Sequence, residues 1–205
     1  MHSWGQCLER NSGFMTQFSV SDDGRLIDEQ AMRALSSLKS EMPWMDEGAF
    51  STYLALSKAY WSLWSVFSAY CSEFELSVPR FNLLLLLYQT RARPKGMTEL
   101  GVTLNVSTAN VTKLIASLEQ GGWAERVSDE SDRRVVYGRL TKHGELRFKE
   151  IMPTLFKRLE NLTRGLNEED ERLITHLLTK MRLGLIADYA GQQESDSRRK
   201  ARASG

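Results

Sequence analysis

The sequence predicts a mainly α-helical protein that carries one small two-stranded β element and is organised around a helix-turn-helix. Three observations lead to this fold class. Residues 98–118 hold two short helical segments separated by a turn. Two segments of strand composition follow at residues 123–140. Longer helical segments flank this block. Apolar residues cover more than one face of residues 49–75, which predicts burial on several sides, and two further helices are predicted at residues 142–166 and 167–186.

The helix-turn-helix is predicted from the agreement between its turn and its second helix. The first helix spans Thr98 to Leu104, and the turn lies at Asn105 and Val106. Asn105 suits this turn because asparagine tolerates a left-handed backbone better than most residues with a Cβ. Ser107 accepts a hydrogen bond from an orphan backbone N–H and thereby begins the second helix.

The second helix of the pair is predicted to present a small, polar face to DNA. Its inward positions are apolar and recur at helical spacing: Val111, Leu114, Ile115 and Leu118. Its outer positions are Thr108, Ala109, Asn110, Thr112, Lys113 and Ala116. Such a face approaches base edges without steric obstruction. We expect Asn110 to read adenine, Thr108 and Thr112 to meet phosphate or a thymine methyl, and Lys113 to neutralise phosphate; Ser107 completes the predicted contact set.

A two-stranded wing is predicted after this helix. Gly121 and Gly122 end the helix, and strand-like segments follow at Trp123–Val127 and Val135–Leu140. The polar, acidic segment SDESDRR connects them.

This order of features resembles the MarR family of winged-helix transcription regulators. The most specific part is Asp132-Arg133-Arg134 in the wing, followed by Leu140-Thr141-x-x-Gly144. The resemblance implies that Arg133 and Arg134 contact DNA, one of them in the minor groove, and that Asp132 organises the wing through an ion pair. An alternative is that these residues form only a solvated hairpin tip.

Charge is distributed unevenly, although the net charge is only +1. Residues 91–142 hold nine Lys or Arg and six Asp or Glu, which makes this segment +3, whereas residues 1–49 are −4. So few cations predict weak binding by one copy. Two copies on a palindromic double-stranded DNA site are therefore expected.

The domains are predicted from this pattern and from the family plan. Residues 1–48 form an extension with one amphipathic helix, from Leu26 to Met42. This helix packs on the dimer, covers a pocket, or only caps exposed core, and these alternatives stay open. Little regular structure is expected in residues 1–25. The winged helix-turn-helix takes residues 77–142. The resemblance implies a helical dimerisation region at 49–76 and 143–190, and residues 191–205 are expected to be a disordered polar, basic tail.

A ligand pocket is a further implication of the resemblance, because the family places an effector between its two regions. The expected lining is aromatic with one cation: Trp61, Trp64, Phe67, Cys71, Arg80, Phe81 and His143. Such residues suit a small aromatic carboxylate or phenol. Aromatic residues at helical spacing are also typical of plain core, and this alternative stays open.

Other classes of protein are poorly supported. The three histidines have no metal-ligand spacing or nucleophile motif, so neither an enzyme nor a metal or cofactor site is predicted. Cys7 and Cys71 form no disulfide framework, and no leader or membrane span is recognised, which predicts a cytoplasmic protein.

The leading hypothesis is a homodimeric repressor that an aromatic ligand releases from a palindromic operator. Two alternatives remain. One is a redox-sensing repressor that uses Cys71, although burial among aromatic residues would blunt the reactivity of this thiol. The other is a winged-helix protein-interaction module that has lost DNA binding.

Overall fold

A computed structural model of the chain describes residues 18–129, 132 and 135–203, with side chains described as far as Tyr189. In order, the elements are β1 (Phe18–Val20), β2 (Leu26–Asp28), α1 (Glu29–Glu41), α2 (Glu47–Ser72), α3 (Val78–Gln89), α4 (Met97–Leu104), α5 (Thr108–Gln120), β3 (Ala124–Ser128), β4 (Val136–Leu140), α6 (Lys142–Leu162) and α7 (Glu168–Ala203). The prediction of a mainly helical protein with a small β-wing is confirmed. Among the described helices, none is long and apolar enough to cross a membrane.

The N-terminal extension contains more structure than the sequence predicts. β1 and β2 form an antiparallel hairpin in which Phe18 pairs with Asp28 and Val20 pairs with Leu26. The expectation of little regular structure before residue 26 is therefore wrong at β1, and the predicted helix begins at Glu29, three residues late. Asp28 explains the late start, because its carboxylate caps α1 by accepting from the Ala31 amide at 2.9 Å.

The core of the first compact unit, which extends to Leu159, is built around α3. This helix contacts α2, α4, α5 and β4, and most of its apolar side chains are buried: Val78, Phe81, Leu83, Leu84, Leu86 and Leu87. By contrast, α2 buries only Phe67 and Cys71 within the single chain, whereas its composition predicts burial on several sides.

The second compact unit begins at Glu160 and holds α7. Asn167 caps this helix, since its side-chain oxygen accepts from the amides of Glu169 and Asp170. The expectation of a disordered tail at residues 191–205 is wrong up to Ala203, because α7 continues to that residue.

Candidate nucleic-acid interface

The turn between α4 and α5 has the predicted geometry. Asn105 adopts a left-handed backbone with φ of 55° at the end of α4. The side-chain oxygen of Ser107 accepts from the Asn110 amide at 3.2 Å and caps α5. Residue choice therefore determines where the first helix ends and where the second begins.

Gly101 makes this turn tight, a role that the sequence analysis did not assign. A Cβ at this position would lie 2.8 Å from the carbonyl oxygen of Val106, and the Val106 amide donates to the Gly101 carbonyl at 2.9 Å. The turn thus folds directly onto α4. A lone glycine inside a helical segment was the available signal.

The outer face of α5 is exposed and its inner face is buried, as predicted. Val111, Ile115 and Leu118 are buried, whereas the outer positions that were assigned to DNA contact are open: Ser107, Thr108, Asn110, Thr112 and Lys113. Ala116 is half-buried. No part of the described chain covers Asn110 or Lys113, so this face is free to meet a partner.

The wing pairs β3 with β4 in an antiparallel hairpin, from Ala124 opposite Leu140 to Ser128 opposite Val136. Gly138, on β4, packs against the helix-turn-helix: a Cβ there would lie 2.9 Å from Ile115 Cδ1 and 3.2 Å from Leu100 Cδ1. The loop before α4 adds a bridge between Gly96 and Tyr137. The base of the wing is therefore held against the helices.

Asp129 organises the described part of the wing tip. Its carboxylate accepts from the Asp132 amide and from the Tyr137 hydroxyl, each at 3.0 Å. The hydrogen bond to Asp129 raises the pKa of Tyr137. Asp129 was not among the predicted wing residues, and the organising role of Asp132 stays a prediction. Arg133 and Arg134 lie outside the described residues.

Glu119 connects the end of α5 to the first wing strand. Its carboxylate accepts from the Arg126 backbone amide at 3.0 Å and from the Arg126 guanidinium at 2.7 and 3.0 Å. These hydrogen bonds lower the pKa of Glu119. One side chain thus holds the orientation of β3 relative to α5.

We expect Glu119→Gln to lower the melting temperature by about 2 °C at pH 7, since the pair is partly exposed. The lowered pKa means that the ionised carboxylate stabilises the fold above the ordinary pKa of 4.5, and that this contribution is lost as the pH falls through the lowered value. In thermal melts, the difference in melting temperature between the wild type and Glu119→Gln should therefore be smaller at pH 3 than at pH 7. A difference of equal size at both pH values would contradict the electrostatic role.

The Thr141-x-x-Gly144 motif forms the junction between the wing and α6. The Thr141 hydroxyl donates to the Gly122 carbonyl at 2.7 Å and accepts from the Gly144 amide at 2.8 Å. The Thr141 amide donates to the Trp123 carbonyl at 3.1 Å. This network ties the start of α6 to the turn that ends α5.

The residues predicted to line a ligand pocket are only partly brought together. Phe67 and Phe81 are buried and stack edge to face, with ring centroids 5.3 Å apart. Trp64 lies against Tyr60 and is half-buried. Of the other predicted lining residues, Trp61 and His143 are exposed, Cys71 is buried, and Arg80 donates to the Glu75 carbonyl.

Cys71 is fully buried, and burial raises the pKa of its thiol to about 11. At neutral pH this thiol is therefore protonated, whereas peroxide reacts with thiolate. The environment of Cys71 thus gives no support to the redox-sensing alternative.

Comparison with known proteins matches these features to one family. The MarR family model matches residues 76–136, from the start of α3 to the start of β4. YkoM, an HTH-type transcriptional regulator of Bacillus subtilis, is 30% identical over 134 residues, which cover 65% of this chain and 86% of YkoM. The HTH-type transcriptional repressor YetL of the same species is 25% identical over 146 residues, covering 70% of this chain and 87% of YetL.

A solved structure shows the same fold. Sco3205, a MarR family regulator from Streptomyces coelicolor in complex with DNA, superposes with a TM-score of 0.64 at 19% identity, over 69% of this chain and 89% of that protein. At this identity the likeness shows the fold alone. With the sequence relatives, the family model and the winged helix-turn-helix geometry in agreement, the chain belongs to the MarR family of DNA-binding transcriptional regulators, which are not enzymes.

Proposed function

We propose that this protein is a homodimeric repressor that binds a palindromic operator and is released from it by a small aromatic carboxylate or phenol. The observation that carries DNA recognition is the open polar face of α5 beside a wing in a member of this family. Repression is the mode named for YetL, and the DNA complex of Sco3205 supports the docking of this fold on a duplex. In this proposal the repressor acts in the cytoplasm, where it meets its operator DNA.

The contact residues follow from side-chain chemistry. Asn110 matches the donor and acceptor of an adenine edge, and Lys113 neutralises a phosphate. Thr108, Thr112 and Ser107 supply hydroxyl donors at the start of α5. Arg133 and Arg134 suit a narrow minor groove beside the major-groove site.

Dimerisation is supported by exposed apolar residues on α2 and α7. On α7 they form a long series: Leu173, Ile174, Leu177, Leu178, Leu183, Leu185, Ile186 and Tyr189. So many exposed large apolar side chains on one helix are typical of an interface. In our proposal, residues 49–76 and 143–190 therefore join two copies, and the two α5 helices reach successive major grooves about one helical turn apart.

The ligand acts by changing the distance between the two recognition helices, because a dimer that fits two half-sites loses contacts when that distance shifts. Part of the predicted pocket, Trp61 and Trp64, remains accessible for such a ligand.

Fluorescence anisotropy against the DNA that flanks the protein's own gene, beside a scrambled duplex, tests this function. We expect preferential binding that weakens at higher salt. Equal affinity for both duplexes would favour the interaction-module alternative.

For the recognition helix, we expect Asn110→Ala to weaken operator binding by about 5-fold to 150-fold, the value of one bidentate base contact. Gln120→Ala is the matched control, because it removes an exposed amide from the far end of the same helix. A loss of equal size in both variants would contradict base reading by Asn110.

A further inference from the structure

The N-terminal hairpin and α1 enclose a groove against the first half of α2, with a volume of about 850 Å³. This falls in the range of small-molecule sites. Its walls are mainly apolar and come from all three parts, as shown by Phe18, Leu26, Met32, Leu35, Leu54 and Trp61. The predicted ligand pocket shares only Trp61 with this groove.

One ion pair marks the polar part of the groove. Lys58 Nζ, on α2, donates to Asp28 Oδ2, at the start of α1, over 2.7 Å. Asp28 Oδ1 is occupied by the Ala31 amide. Among the described residues, Lys58 donates to Asp28 alone, so its ammonium group keeps two N–H donors for another acceptor.

Side-chain groups of the lining that can only donate outnumber those that can only accept. Lys58 and the indole N–H of Trp61 only donate, whereas Ser51, Ser62 and Gln30 can donate or accept. The one acidic group, Asp28, already accepts from an amide and an ammonium. An anionic acceptor on an apolar body complements this arrangement better than a cation does.

We propose that this groove binds a small amphipathic monocarboxylate, with its apolar body between α1 and α2 and its carboxylate on Lys58 Nζ. A second copy of the chain is a poorer occupant, because in the proposed dimer α2 meets that copy through exposed apolar residues that do not line the groove: Tyr53, Leu56, Tyr60 and Leu63. Use of the groove as an effector site rests on the proposed function, whereas binding itself does not.

The groove is placed to influence the DNA-binding helices through one continuous element. Leu54 and Lys58 lie in the first half of α2, and Phe67, farther along the same helix, stacks on Phe81 of α3. In turn, α3 packs on α4, α5 and β4. Occupancy of the groove therefore acts on the helix that supports the winged helix-turn-helix.

Isothermal titration calorimetry on the full chain tests the site with three probes of equal skeleton: 4-phenylbutyrate, 4-phenyl-1-butanol and 4-phenylbutylamine. We expect the acid to bind at least about tenfold more tightly than the alcohol, the gain of one charge-assisted hydrogen bond, and the amine to bind most weakly. Lys58→Met should remove the preference for the acid, and Lys58→Arg should retain it.

Two further variants identify the location. Lys149→Met is the matched control, because it removes a lysine that is likewise ion-paired, with Glu145, outside the groove; acid binding should be unchanged. Ala55→Trp fills the groove from an exposed position of α2 and should abolish binding of all three probes. Circular dichroism confirms that each variant is folded.

Several results would overturn the proposal: no saturable binding of the acid, tighter binding of the amine, or binding that survives Ala55→Trp. Conversion of a dimer to a monomer by Ala55→Trp in light scattering would show that a second copy occupies the groove, which also overturns it. Operator anisotropy measured on the same samples separates the two proposals, since the groove can bind acid in a protein that fails to bind DNA.

Discussion

Replacing Gly144 with alanine should lower the free energy of unfolding by about 3 kcal/mol or more, among the largest effects expected for a single methyl group. A Cβ at this position would lie 1.9 Å from the Trp123 carbonyl oxygen and 2.6 Å from the carbonyl carbon. Both atoms belong to the backbone, and the same carbonyl accepts from the Thr141 amide. Rotation of a side chain cannot relieve this clash, because the clashing atoms are backbone. The start of α6 must therefore move away from Trp123.

Urea unfolding followed by circular dichroism measures this loss. Gly48→Ala is the matched control, because a Cβ there meets only Asp46 Oδ1 at an ordinary 3.5 Å within the first turn of α2. We expect the control to be unchanged or slightly stabilised, as alanine is the better helix former. Equal stability of the Gly144 variant and the wild type would show that the close approach at the Trp123 carbonyl does not exist.

Replacing Arg133 with alanine should weaken operator binding by about 5-fold to 150-fold, or 1–3 kcal/mol, and should flatten the dependence of affinity on salt. This prediction rests on the family motif Asp132-Arg133-Arg134 and on the hairpin that carries it. A guanidinium in a narrow minor groove makes contacts that a methyl group cannot replace. In a dimer the loss occurs at both wings.

Arg139→Ala provides the comparison, since it removes the same charge from the same wing. Arg139 is paired across the strands with Glu125 at 2.8 Å, near the base of the wing rather than its tip. Anisotropy at two salt concentrations should show a much smaller effect for this variant, and light scattering should show an intact dimer for both. Unchanged affinity of the Arg133 variant would refute the assignment of this residue to DNA.

Local rules account for the success of the helix-turn-helix prediction. Asn105 in its left-handed turn, Ser107 as a cap and the buried Val111, Ile115 and Leu118 depend on residues within a few positions of one another. Short-range hydrogen bonding and periodicity are sufficient for such features.

Features that depend on distant residues were missed or misplaced. The pairing of β1 with β2 could not be predicted, because each strand has only three residues and is too short to show a period. Asp129 gains its role only because Tyr137 faces it across the hairpin. The composition of α2 predicts burial on several sides, yet within the single chain Phe67 is buried and Trp61 is exposed.

The sequence by itself determined the family, the order of helix, turn, helix and wing, and the residue types on the outer face of α5. Tertiary structure alone decided how the wing is held. Glu119 forms an ion pair with Arg126, Gly138 packs against Ile115, and Gly144 packs on the Trp123 carbonyl. It also formed the groove in which Lys58 meets Asp28, thirty residues away. The physical reason is that capping and periodicity are set by near neighbours, whereas close approach and charge pairing depend on which distant atoms the fold brings together.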